Sequence, residues 1–235
     1  MNVVLLSEDD LVTPNVARIA GRRARHILEV HHARAGDRLR IGMLNGRLGE
    51  GLITALTGDA MDIEIVCDAE PPSALPLTLL LALPRPKMLK RVLQSVTAMG
   101  VKRVALMNTW RVEKSYWESP VLEPAVLREQ MVLGLEQAGD TTLPEIELRR
   151  RFKPFVEDEV PRMISGTRAL VAHPAADDQC PRAVGTAVTL AIGPEGGFIP
   201  YEIELLQHQG FEAVSLGARR LRVEHAVPAL LGRLF

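Results

Sequence analysis

The chain has little cysteine. Cys67 and Cys180 are its two thiols, far apart, with no Cys-x-x-Cys and no clustered histidine partner. Isolated thiols suit a reducing compartment and argue against a zinc site, so no metal is expected. No apolar run approaches the ~18 residues of a membrane span, and no membrane partner is expected. The opening residues, Met1-Asn-Val-Val-Leu-Leu-Ser-Glu-Asp-Asp10, carry no basic leader, and the expected location is the cytoplasm. Neither Gly-x-x-x-x-Gly-Lys-Ser/Thr nor Gly-x-Gly-x-x-Gly occurs, which weakens a nucleotide-binding α/β enzyme of other chemistry. There is no internal repeat or low-complexity segment. A net charge of -1 excludes a globally basic nucleic-acid binder.

What is present is globular: 235 residues, 47% hydrophobic and 24% charged, enough for one large domain or two smaller ones. A proline-rich joint, Ala69-Glu-Pro-Pro-Ser-Ala-Leu-Pro76, divides the chain. Before it, short strand-like segments (2–6, 38–44, 49–57, 60–67) with an Asn45-Gly46 hairpin turn surround one helix at 20–32, as in a small barrel. After it, strand and helix alternate. The apolar run 77–83 reads as a buried parallel strand, 87–99 as a helix with Leu89, Val92, Leu93, Val96 and Met99 on one side, and 104–107 as a strand. A helix over 123–138 closed by Gly139 and strands at 169–172 and 188–192 follow. The class is α/β with a mostly parallel sheet.

Charge is uneven. Between Arg18 and Arg40 seven arginines (18, 22, 23, 25, 34, 38, 40) face two acids, Glu29 and Asp37. Arginine pairs with phosphate in bidentate fashion, which makes Arg22, Arg23, Arg25 and His26 candidates for RNA contact. A second basic run is Arg149-Arg-Arg-Phe-Lys153. A solvated helix face is the bland reading of either.

The most specific signal lies near the C-terminus. An apolar run stops at Gly193-Pro194-Glu195-Gly196-Gly197, and Pro200 opens a helix-spaced segment. Strand, glycine-rich loop, helix brings backbone amides to a ligand. Proline and glutamate inside the loop argue against a phosphate cradle. About twenty residues on comes a second loop, Leu216-Gly217-Ala-Arg-Arg-Leu-Arg222-Val-Glu224-His-Ala226, opening a terminal helix. This pair of loops resembles the RsmE-type 16S ribosomal RNA uridine N3-methyltransferases of the SPOUT superfamily. Fainter likeness lies in His26 with Gly36-Asp37, in Pro84-Arg-Pro-Lys-Met88, in Gly100-Val101 and in Glu136-Gln137.

The resemblance implies a PUA-like RNA-binding barrel over 1–70, then a SPOUT methyltransferase domain over 77–235 with a C-terminal trefoil knot. It implies S-adenosylmethionine as cofactor, ribosomal RNA, of the small subunit, as partner, and a homodimer. Ile192, Gly193, Pro194, Glu195, Gly196, Gly197, Leu216, Gly217 and Leu221 would bind the cofactor, with the arginines 219–222 beside it. Arg222 and Glu224 match the charged residues of the family's last motif and are the catalytic candidates. Arg222 would meet negative charge developing on the uracil. A carboxylate among turn residues more often caps amides, and that role is favoured for Glu195. Proline is tolerated in a first helical turn, so the terminal helix is expected to start at Glu224 or His225.

The chain departs from the family at Ala98, which replaces a carboxylate, at His31 and His32, and at Val223 and His225, where the family generally has threonines. The run Ala138-Gly139-Asp140 is acidic where the family tends to be basic. His225 is a candidate proton shuttle, a role to which an imidazole is suited. The reading is methylation of uridine N3 in small-subunit ribosomal RNA. The alternatives are a non-catalytic RNA-binding or ribosome-assembly protein keeping the fold, and methylation of a different RNA nucleotide.

Overall fold

The computed structural model describes residues 2–30 and 32–235, without the side chains of Arg22 and Val30. His31 therefore lies outside the described residues, as does any contact made by the Arg22 side chain. The chain forms two compact units, Met1–Ser73 with Val132–Leu143, and Ala74–Met131 with Pro144–Phe235. The segment 132–143, which the sequence reading leaves in the second domain, packs with the first.

The first unit is a six-stranded mixed sheet. It contains β1 (Val4–Leu6), β2 (Leu11–Thr13), β3 (Val16–Ala20), α1 (Gly21–Val30), β4 (Arg38–Met43), β5 (Leu48–Thr57) and β6 (Ala60–Ala69). The order is β1-β4-β5-β6-β3-β2, with β1 parallel to β4 and the other pairs antiparallel. Alternation drives it: in β6, Met61, Ile63 and Ile65 are buried while Asp62 and Glu64 are not. Asn45 adopts φ 60 in the β4–β5 turn, the left-handed conformation that Asn-Gly hairpins need. Val3, Leu5 and Leu48 form a small core with Leu135, which explains the grouping of segment 132–143. The acid at Asp140 is structural: its carboxylate accepts from the amides of Thr141 (2.6 Å) and Thr142 (3.0 Å).

The second unit carries β7 (Leu77–Ala82), α2 (Pro86–Ala98), β8 (Arg103–Met107), α3 (Pro124–Ala138, its last turns grouped with the first unit) and β9 (Glu145–Arg149). Next come α4 (Phe152–Pro154), a π-helical turn Phe155–Glu159, α5 (Val160–Met163), β10 (Arg168–Ala172) and β11 (Val188–Ile192). The chain ends with α6 (Pro200–His208), β12 (Glu212–Val214) and α7 (Val223–Leu234). Its sheet has the order β12-β10-β11-β7-β8-β9, and every neighbouring pair is parallel. Burial of all five residues of β11 explains its continuous apolar run.

Helix α7 packs on α2. Its Val227, Leu230, Leu231 and Leu234 are at most 1% exposed, so the apolar face is covered by the protein's own domain. Each such leucine adds roughly 1.5–3 kcal/mol. The helix starts at Val223, one residue before the expected Glu224, because Arg222 is extended (φ -69, ψ 154) and its carbonyl already accepts from the amides of His225 and Ala226. Pro228 therefore lies inside the helix, beyond the first turn, and the Glu224 carbonyl lacks its intrahelical donor. Residues 219–222 remain loop.

Candidate functional site

A cavity of about 270 Å³ opens at the carboxyl ends of β10, β11 and β12, whose last residues, Ala172, Ile192 and Val214, line it. Neighbouring strands β7 and β11 lead away in opposite directions, β7 to β8 and β11 to β12. Open α/β sheets leave their binding crevices beside such a reversal.

The loop after β11 is shaped by close approach. A Cβ on Gly193 would lie 3.0 Å from the Phe198 nitrogen and 3.2 Å from the Gly197 backbone, so no larger residue fits without displacing the turn. The Gly197 amide donates to the Pro194 carbonyl (2.7 Å) and closes it. Glu195 turns outward from its own loop and accepts from the amide of Arg85 (3.0 Å), the residue that precedes α2. It caps an amide as favoured, but that of another loop. The Arg111 guanidinium donates to the Gly196 carbonyl. Glu202, 3% exposed, accepts from the amides of Ile199 (3.0 Å) and Trp110 (2.7 Å), tying the start of α6 to the loop after β8.

The second loop begins where the Val214 carbonyl accepts from the His173 amide and the Ser215 carbonyl from the Cys180 amide (2.8 Å). Gly217 follows at φ +105 with nothing within 4 Å of where a Cβ would stand. Only glycine takes that conformation without strain, and the space beside it stays open.

All the cofactor candidates, 192–197, Leu216, Gly217 and Leu221, line this one cavity. Arg219 and Arg220 line it too, and so do Arg111 and His173, which nothing in the local sequence pattern singled out. Glu195 is the one carboxylate in the lining, and no carboxylate lies within ion-pair distance of Arg111, Arg219 or Arg220 among the described residues. Arg222, Glu224 and His225 are not in the lining. Arg222 is exposed ahead of α7, and the other two occupy its first turn.

The basic segment of the first unit divides. Arg23 donates to both oxygens of Asp10 and to the Leu5 carbonyl (2.8 Å), and is a structural residue. Burial alone would raise the Asp10 carboxyl, but the bonds from Arg23 and Ser7 outweigh it and hold the carboxyl below its usual range. Arg18 pairs with Asp62 (2.7 Å) and Arg38 with Glu50 (2.9 Å). Arg25 is exposed with no carboxylate partner among the described residues, and His26 is half-buried. In the second basic run, Arg149 bridges Glu147 and Glu159, and Arg150 lies 5.1 Å from the Trp117 ring centroid while bonding its carbonyl. Among the described residues no group of three or more His, Cys, Asp or Glu could hold a metal ion, and no helix is long and apolar enough to cross a membrane.

A sequence model of the RNA methyltransferase domain matches residues 71–234. The chain is 29% identical over 236 residues to the ribosomal RNA small subunit methyltransferase E of Treponema pallidum, covering 97% of this chain and 88% of that protein. It is 24% identical over 226 residues to the protein of that name in Mycobacterium tuberculosis, covering 94% and 86%. Among solved structures, the Neisseria gonorrhoeae small subunit methyltransferase E bound to S-adenosyl methionine superposes with a TM-score of 0.75 at 23% identity, covering 98% of this chain and 95% of that one. A Legionella pneumophila methyltransferase in complex with S-adenosylmethionine gives 0.76 at 22%, covering 98% and 96%. The likeness to these structures is one of fold.

Proposed function

The chain belongs to the RNA methyltransferase family, and from that premise we propose that it transfers the methyl group of S-adenosylmethionine to N3 of a uridine in small-subunit ribosomal RNA. The carrying observation is that every cofactor-binding candidate of the two loops, 192–197, Leu216, Gly217 and Leu221, lines one cavity at the carboxyl ends of β10, β11 and β12. The relatives' names supply the ribosomal substrate class.

The lining suits this cofactor. Ile192, Leu216, Leu221 and Leu230 offer apolar surface to an adenosine, and the unpaired cations of Arg219, Arg220 and Arg111 offer charge to a carboxylate. The open space beside Gly217 is where a ligand would approach the backbone. When bound, the cofactor supplies a methyl carbon activated by a sulfonium, and the protein has to align the nucleophile and manage one proton. Uridine N3 is protonated at neutral pH, so negative charge develops on the uracil as it attacks. Cations beside the ring stabilise such charge. Arg219 and Arg220, at the cavity, are better placed for this than Arg222. To Arg222 and Glu224 we assign the ordering of the start of α7, where a carboxylate meets the positive helix end.

Arg25 and His26 of α1 are the proposed RNA contacts of the first unit, and Arg23 is withdrawn from that set. The homodimer, the cytoplasmic setting and the trefoil knot complete the proposal. The dimer rests on the family resemblance alone, since the apolar face of α7 is already covered within the chain. The knot is supported by α7 packing on α2 although β12 stands beyond β10 at the sheet edge.

Calorimetry with S-adenosylmethionine on the wild type and on Gly217→Val tests the cavity. The wild type should bind and the folded variant should not, because a branched side chain enters the open space beside the second loop. Equal affinity in both would remove the cavity as the cofactor site. Gly196→Val is a weaker test, since its Cβ would meet the movable Arg111 side chain at 2.9 Å.

A further inference from the structure

Trp110 is 80% exposed, the most exposed large hydrophobic side chain among the described residues. Its loop is nevertheless fixed on every side. The Asn108 amide donates to the Arg149 carbonyl (2.8 Å), and the Asn108 side chain accepts from the Trp117 indole (2.8 Å). Thr109 is 2% exposed, and its carbonyl accepts from the Val112 amide. The Trp110 amide itself is held by the buried Glu202 carboxylate, and Arg111 bonds the Gly196 carbonyl of the cofactor loop. A large ring left in water on an anchored backbone is a built surface, since leaving it there forgoes the burial that most tryptophans obtain.

The charge around it selects the partner. Arg111 follows it in sequence and lines the cavity, and Arg85 is bonded through its amide to the same loop at Glu195. Both are exposed, and neither has a carboxylate within ion-pair distance among the described residues. An exposed indole on a loop that also carries a guanidinium with no carboxylate partner is how proteins hold single-stranded nucleic acid, by stacking a base on the ring and pairing phosphates with the cations.

We propose that Trp110 is a positioning residue of the methyl-transfer site, stacking an unpaired RNA base beside the cofactor cavity. The inference rests on the reading of the protein as an RNA methyltransferase, and it extends to the stacked base the unpaired state that N3 attack already demands of the target uridine, because a base within a duplex cannot offer its face.

The test uses the full chain and a short oligouridylate as probe. The protein has two tryptophans, and Trp117 is 7% exposed, so ligand-dependent emission reports Trp110. Oligouridylate should quench the wild type, and an abasic oligomer of equal length should not. Trp110→Ala should weaken oligouridylate binding, followed by anisotropy of labelled RNA, by roughly 5- to 100-fold, the usual worth of a stacked base. Abasic binding should stay unchanged. Trp110→Phe should recover most of the loss. In methyl transfer the alanine variant should raise KM for RNA more than it lowers kcat, with S-adenosylmethionine affinity intact by calorimetry. Equal oligouridylate affinity in wild type and Trp110→Ala would overturn the proposal. So would Trp110 emission that is blue-shifted without RNA and reddens on dilution, which would put the ring against a second copy of the chain. Quenching without methyl transfer to any ribosomal RNA would count against the proposed function and leave the stacking role standing.

Discussion

Replacing Glu202 by alanine removes a side chain that joins the start of α6 to the loop after β8. The carboxylate is 3% exposed and accepts from two backbone amides, Trp110 at 2.7 Å and Ile199 at 3.0 Å. Without it both donors are stranded in a region that water enters poorly, and each unsatisfied buried donor costs about 1–3 kcal/mol. Partial solvation of the exposed loop keeps the sum near the lower half of that range, at about 2–4 kcal/mol. For a chain of this size that is a drop of roughly 5–15 °C in Tm. Glu202→Gln keeps one acceptor oxygen but turns an NH2 toward the second amide, and should cost about half as much. Denaturant unfolding of wild type, Glu202→Gln and Glu202→Ala measures the series. A graded loss in that order supports the bonding scheme. An alanine variant within ~0.5 kcal/mol of wild type would show that the two amides find other partners and that the carboxylate does not hold the loop.

Arg25→Glu should lower RNA affinity and reduce the salt slope by about one, with S-adenosylmethionine affinity unchanged. Filter binding across a salt series decides it, and an unmoved slope would make Arg25 a solvated helix residue. Asp10→Ala should destabilise the first unit by roughly 1.5–3 kcal/mol, the worth of hydrogen bonds to a charged group, seen as an earlier unfolding midpoint. Because the folded Asp10 carboxyl lies below its ordinary value of 3.8, its contribution is complete above that value and is lost as pH falls through the lower folded value. Asp10→Asn should therefore flatten the acid limb of the stability profile, and an unchanged limb would contradict the pairing with Arg23. Pro228→Ala restores an amide donor to the Glu224 carbonyl inside α7. Set against the interior cost of ~3 kcal/mol and the ~1 kcal/mol of unfolded-state entropy that proline removes, it should stabilise the protein by about 2 kcal/mol. A lower unfolding midpoint would mean that the helix accommodates the ring without loss.

The sequence was most legible where a pattern is local. The two glycine loops, the apolar run of β11 and the face of α2 follow from spacing, because period and turn chemistry act over a few residues. The strands β2, β3, β9 and β12 were not seen. Three of them sit at sheet edges, and β2 and β12 have three residues each, too few for a period to register. The start of α7 falls one residue before the expected Glu224, within the looseness of a helix boundary, and leaves Pro228 one turn deeper than a first-turn proline would lie. Arg111, His173 and Trp110 were missed because loops distant in sequence bring them to the cofactor loop. Glu202 did carry a local signal: it stands three residues after Ile199, behind Pro200, as the acid of a capping box does. In the basic run 18–40, Arg18, Arg23 and Arg38 pair with Asp62, Asp10 and Glu50, partners that composition alone does not reveal.

The most direct measurement is mass-spectrometric mapping of methylated nucleosides in ribosomal RNA from cells with and without this protein. The account predicts one N3-methyluridine in the small-subunit RNA that disappears with the protein, returns with the wild type and does not return with Gly217→Val. Identical methylation maps with and without the protein would contradict it.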